Sequence, residues 1–210
     1  MNWPAFAVFL CLTIPLGAQE DFLKWDGKHA KSIALGGRVT GQVGKSLDFR
    51  ITATDRSYNF KLRATWLTLS TIRALARLDQ IARALSDAET QKAVASALAA
   101  GDIVFQVEID PREGSGIIPS DWVALLGPRR EAAEPRRAVR GISNPKLRDY
   151  PALSAVAPRD YSYEIFWLAF PSTGEDGKPL FASTDREAEL AVRIHGKVGK
   201  VKLPIPEHFK

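Results

Sequence analysis

Residues 60–110, FKLRATWLTLSTIRALARLDQIARALSDAETQKAVASALAAGDIVFQVEID, change their hydrophobic period twice, and those two changes decide the fold. In Phe60-Lys61-Leu62-Arg63-Ala64-Thr65-Trp66 the even positions are apolar, a period of two that lays one face of a strand on a core and the other toward water. From Ser70 the period lengthens. Ile72, Leu75, Leu78, Ile81, Ala82 and Leu85 recur every three or four residues, with Arg73, Arg77, Gln80 and Arg83 between them. That is an amphipathic helix with Ser70 as its expected N-cap. Ser86-Asp87-Ala88-Glu89 then has the form of a capping box and opens a second, Ala-rich helix over 87–100 that Gly101 closes. Period two returns at Ile103, Phe105, Val107 and Ile109 and stops at Pro111.

Upstream, Leu47, Phe49 and Ile51 alternate with polar residues, and 38–43 is expected to pair with them as a hairpin through Gly44-Lys45. Downstream, Arg112-Glu113-Gly114-Ser115-Gly116 has loop composition, and Ser120-Asp121-Trp122 is expected to start a short helix through Leu126. Residues 127–160 hold Pro128, Pro135, Pro145, Pro151 and Pro158 with no sustained period, and Asn144-Pro145 is suited to cap a single helical turn. In Ile165-Phe166-Trp167-Leu168-Ala169-Phe170 both parities are apolar, which marks a central strand covered on both faces. Ala188, Leu190, Val192 and Ile194 alternate again, residues 196–200 turn the chain, and Pro204 with Pro206 mark the following strand as an edge. The expected class is α+β: an antiparallel β-sheet or β-sandwich of about six to seven strands carrying a two-helix insertion.

The composition agrees with a folded domain. Of 210 residues, 45% are hydrophobic and 25% charged, which excludes a disordered chain, a collagen-like repeat and a polytopic membrane protein. A single cysteine excludes a disulfide scaffold or a Cys-built metal site.

Residues 1–18, MNWPAFAVFLCLTIPLGA, carry no charge, and 5–14 are apolar apart from Thr13. That run suits the hydrophobic part of a signal peptide and is too short to span a bilayer. Pro15 breaks it, and Ala18 offers a small residue before Gln19, so cleavage is expected between Ala18 and Gln19 and the destination is extracytoplasmic. Cys11 follows Phe9-Leu10 in the middle of the apolar run, which does not suit a lipoprotein anchor. Residues 19–210 would then form one domain free of thiols, with a proline- and arginine-rich loop at about 128–160.

The charge is not evenly spread. Lys and Arg total 29 against 24 Asp and Glu, a formal +5. Residues 128–148 hold seven basic residues, among them Arg129, Arg130, Arg136, Arg137 and Arg140, against Glu131 and Glu134. The rest of the chain has 22 of each sign. A solvated linker is the ordinary meaning of such a run; its functional meaning is docking to an anionic surface or protein partner. Nucleic acid is not expected, since it asks for a basic face with interleaved aromatics.

Few residues suggest catalysis. Gly44-Lys45-Ser46 lacks the upstream glycine of a phosphate-binding loop and the helix after it. Ser115 sits in Gly114-Ser115-Gly116 without a nucleophile elbow, and only His29, His195 and His208 are available as bases. Those three come from the two ends of the chain and make no zinc motif, so neither metal nor cofactor is expected. Asp110, Glu113 and Asp121 crowd one loop region and Asp55 ends another strand; facing one another, two such carboxylates can hydrolyse a glycosidic bond. Of Tyr58, Tyr161, Tyr163, Trp122 and Trp167, only Trp122 and Tyr58, near loops, are candidates for a binding platform, and core packing outweighs binding even there; Trp167 belongs to the most apolar strand. With no motif that joins nucleophile, base and orienting group, the favoured expectation is a non-enzymatic β-rich binding or envelope-associated module. The alternative is a small extracytoplasmic hydrolase using Asp110, Glu113 and Asp121.

Overall fold

The structure, a computed structural model, describes residues 21–45, 59–112, 116–129, 138–154 and 162–209. Helix α1 (Gly27–Gly36) leads into strands β1 (Arg38–Thr40) and β2 (Gln42–Lys45). Strand β3 (Phe60–Trp66) is followed by helices α2 (Leu69–Arg83) and α3 (Asp87–Leu98) and by strand β4 (Ile103–Pro111). Then come β5 (Val123–Pro128), β6 (Val139–Arg140), β7 (Ile142–Ser143), the short helix α4 (Pro151–Ser154), β8 (Glu164–Phe170), β9 (Glu187–Ile194) and β10 (Lys197–Pro204). All strand pairs are antiparallel, in two five-stranded sheets of order β1-β3-β4-β8-β7 and β2-β10-β9-β5-β6. Neither sheet closes on itself.

The α+β class and the helical pair between β3 and β4 are as the sequence predicts. The strand count is not: ten strands stand among the described residues, where six to seven were expected. Two glycines explain part of the difference. Gly41 is the single residue between β1 and β2, which lie in different sheets. A Cβ there would sit 2.9 Å from the Lys200 carbonyl oxygen and 2.9 Å from Val201 Cγ2, and its N–H donates to the Leu62 carbonyl at 2.8 Å. Gly141 does the same between β6 and β7: a Cβ would come within 2.6 Å of the Phe170 ring, and its N–H donates to the Ala124 carbonyl at 2.9 Å. Only a residue without a side chain passes between the sheets at these corners. The chain therefore crosses from one sheet to the other at both edges of the sandwich: what reads as one strand over 38–43 is two, and two short strands stand at 139–143, inside the stretch expected as loop.

Other boundaries move as well. Gly44 and Lys45 are not a turn but part of β2, in register with Val198 and Lys197, while the expected partner at 47–52 lies outside the described residues. The helix expected from Ser120 to Leu126 is instead β5, because Val123 and Leu125 alternate with Ala124 and Leu126 and find β9 and β6 as neighbours. Helix α2 is capped by Thr68, whose Oγ1 accepts from the Thr71 N–H at 3.3 Å, rather than by Ser70. The Ser86–Glu89 capping box forms in both directions, and α3 ends at Leu98, short of Gly101. Asn144 caps a 3-10 turn over Pro145–Asp149 as expected. Strand β10 lies between β9 and β2, but β2 borders it only over 197–200, so Pro204 falls on the stretch with one neighbour.

Two hydrophobic clusters follow from the alternation. Leu62, Ala64, Phe105, Val107, Ile109, Leu168 and Phe170 of the first sheet face Leu126, Leu190, Val192, Ile194, Val201 and Leu203 of the second. On the other side of the first sheet, Val104 and the half-buried Trp167 pack with Ala34, Ile72, Leu75, Ala76, Val94, Leu147 and Leu153 from the helices and the turn beside them. Strand β8 is thus covered on both faces, and the Trp167 indole N–H donates to the Leu153 carbonyl at 3.0 Å. Among the described residues no helix is long and apolar enough to cross a membrane.

Candidate functional site

The second sheet presents one face to the core and the other outward. Outward positions of β5, β9 and β10 are Val123, Leu125, Ala191 and Val198, all half-buried, together with Glu187, Glu189, Arg193, Lys200 and Lys202. Register sets them in rows. Arg193 lies between Val123 and Val198, Ala191 between Leu125 and Lys200, and Glu189 between Gly127 and Lys202, with Arg140 of β6 beyond Leu125. Both glutamates have partners: Lys200 Nζ lies 2.8 Å from Glu189 Oε1, and Arg129 pairs with Glu187. Arg140, Arg193 and Lys202 are exposed and have no ion pair among the described residues. The face is therefore basic in excess, with apolar side chains between the cations.

This face meets the basic loop. Arg129 directly follows β5 and Arg140 ends β6, so both ends of the connection are fixed in this sheet. Arg130, Arg136 and Arg137 lie outside the described residues.

Of the carboxylates singled out in the sequence, the two described, Asp110 and Asp121, have separate partners. Asp110, on the outward side of β4, is 4% exposed, with Arg112 Nη1 at 3.3 Å and Lys61 Nζ at 4.0 Å from its Oδ2. Asp121 is exposed ahead of β5, its Oδ1 3.7 Å from His195 Nε2 in the β9–β10 turn. Glu113 and Asp55 lie outside the described residues, as do Ser115, Tyr58 and Tyr161. Trp122 packs edge-on against Phe166 with ring centroids 5.0 Å apart, and Tyr163 is buried beneath the Arg63 guanidinium, 4.0 Å from its centroid. Both aromatic rings serve packing.

A cavity of about 530 Å³ opens where the chain leaving β10 passes the start of α2. Trp25, Arg73 and the Thr68 and Ser70 hydroxyl residues form one side, and Pro204, Ile205, Pro206 and His208 the other. The position of Trp25 is set twice over. Asp21 caps the 3-10 turn before it and Asp26 caps α1 after it, the latter accepting the His29 N–H at 2.7 Å. From α2, Arg77 Nε donates to the Trp25 carbonyl at 2.8 Å and Arg77 Nη1 to Gln80 Oε1 at 2.6 Å; the buried Gln80 in turn donates to Asp87 Oδ1 at 2.8 Å.

Arg73, one turn earlier than Arg77, lies with its guanidinium 5.6 Å from the Phe22 ring centroid. It has no hydrogen bond or ion pair among the described residues, and its Nε and the Trp25 Nε1 are buried donors without an acceptor there. Sequence reasoning missed this cavity because it left 19–37 unread. The signal was present: Asp26 as N-cap, then Ala30, Ile33 and Ala34 at helical spacing.

No protein-family model matches the chain, and no curated protein matches it significantly. Among solved structures, a protein of unknown function from Burkholderia pseudomallei is similar at 14% identity and a TM-score of 0.38, over 70% of this chain and 76% of that one.

Proposed function

We propose that this chain is an exported, non-enzymatic binding module whose partner is anionic. The observation that carries the reading is the outward face of the second sheet, where Arg140, Arg193 and Lys202 stand exposed, without counter-ions among the described residues, between Val123, Leu125 and Val198. A sheet holds the backbone positions of these cations at fixed spacing, so little backbone freedom is lost when a polyanion meets them. The stretch carrying Arg130, Arg136 and Arg137 joins β5 to β6 in the sequence, and its charges have the sign of this face. Export rests on the uncharged apolar leader over 1–18.

The test is retention on an immobilised sulfated polysaccharide. Attraction between exposed charges is screened at a Debye length of about 8 Å in physiological salt and about 3 Å at 1 M. The protein should therefore bind at low salt and elute along a salt gradient, and the combined Arg140→Gln, Arg193→Gln, Lys202→Gln variant should elute at lower salt. Absence of retention, or equal elution of parent and variant, overturns the reading.

A further inference from the structure

We propose that the cavity between Trp25, the start of α2 and the chain after β10 binds a small amphiphilic carboxylate, one with an apolar body and a single negative charge. The proposal rests on the chain being a binding module but uses a different surface from the basic sheet face.

Three features select this chemistry. The walls supplied by Trp25, Leu69, Pro204, Ile205 and Pro206 are hydrophobic, and a space of about 530 Å³ falls within the range of small-molecule sites, which are mostly apolar with a few placed polar groups. Arg73 lines the same cavity, half-buried, its guanidinium 5.6 Å from the Phe22 ring centroid and without a carboxylate partner among the described residues. A guanidinium partly removed from water and left unpaired is costly, and donating two parallel N–H hydrogen bonds to a carboxylate offsets that cost. The sign around it agrees: the first turn of α2 holds no acidic residue, and the Thr68 and Ser70 hydroxyls stand at the rim. One fixed cation matches one negative charge, and a phosphate monoester would ask for more donors than this wall provides.

Decanoate, kept below its micelle concentration, is the probe, with decanol as the same body without the charge. Calorimetric titration of the parent should show saturable binding at one site, and decanol should bind at least tenfold more weakly. Arg73→Gln should weaken decanoate at least tenfold and leave decanol unchanged. Ser70→Glu sets a carboxylate three residues before Arg73, in reach of its guanidinium and at a helix start that favours negative charge, so this variant keeps its fold while losing decanoate affinity. Equal binding of decanoate and decanol, undiminished binding in either variant, or no saturable binding overturns the proposal. Retention on the sulfated polysaccharide should be the same in Arg73→Gln and the parent, so failure here leaves a different signature from failure of the binding-module reading.

Discussion

Glu108 stands at an outward position of β4, in register with Arg63 on one side and Ile165 on the other, and is only 3% exposed. Arg38 Nη2 donates to its Oε1 at 3.1 Å, while Arg38 Nε lies 2.9 Å from Oε2 but off the line of a hydrogen bond, so that contact is Coulombic. The alternation of β4 identified the inner residues correctly and identified Glu108 only as polar. Period two says which side chains share a face; it does not say that the second face is also covered. The same blind spot hid the buried Asp110 ion pairs and the solitary Arg73, since an arginine on the polar side of a helix reads as solvated. Removing one partner of a buried pair leaves the other charge less compensated. Arg38→Ala should therefore cost about 3 kcal/mol in urea denaturation, and the paired change Arg38→Met with Glu108→Leu should recover most of it. A single variant as stable as the parent would show that Glu108 is held by its other neighbours.

Elements were legible where a local rule sets them and illegible where a distant partner does. The capping box is the clearest local case, because Ser86 and Glu89 satisfy each other's backbone donors within one turn. Helix α2 and strands β3, β4 and β9 follow from period alone. Strand β5 does not: its alternation is short, and pairing with β9 and β6 converts what looked like a helical turn. Nor do the crossings at Gly41 and Gly141, where one glycine decides between a straight strand and a change of sheet. The capping box also supplies a pH prediction. The hydroxyl of Ser86, then its backbone N–H, and lastly the charge of Arg83 hold the Glu89 carboxyl below the usual glutamate value against a small opposing effect of burial. A lowered value in the folded chain means a contribution complete above about 4.5 and lost as pH falls through the folded value. Ser86→Ala should cost about 1 kcal/mol at neutral pH. Melting followed by circular dichroism should show the gap between parent and variant narrowing below pH 4.5; a gap that stays constant or widens would mean that the carboxylate does not take part.

At the scale of the whole molecule, the proposed export makes a prediction about the N-terminus and about what cleavage would leave. Asp21 and Asp26, the two caps that fix the cavity wall, lie after the proposed cleavage between Ala18 and Gln19, so the cleaved chain would keep both. Cleavage would take away Met1, Trp3 and Cys11 and leave 192 residues without thiol or methionine, so the product would rely on its two hydrophobic clusters and not on cross-links. It would also leave the charge pattern intact, with the basic excess confined to 128–148 and fastened to the sheet whose outward face carries Arg140, Arg193 and Lys202. Expression of the full chain in a bacterium, followed by fractionation and intact-mass spectrometry, checks this. The expected product is extracytoplasmic and begins at Gln19. A Leu16→Lys, Ala18→Lys variant should remain uncleaved, because charged side chains then stand at both positions a signal peptidase reads, in place of the uncharged Leu16 and the small Ala18. Recovery of the parent in the cytoplasm with residues 1–18 still attached would remove the export half of the proposed function and leave the salt-dependent binding of the sheet face to stand or fall on its own test.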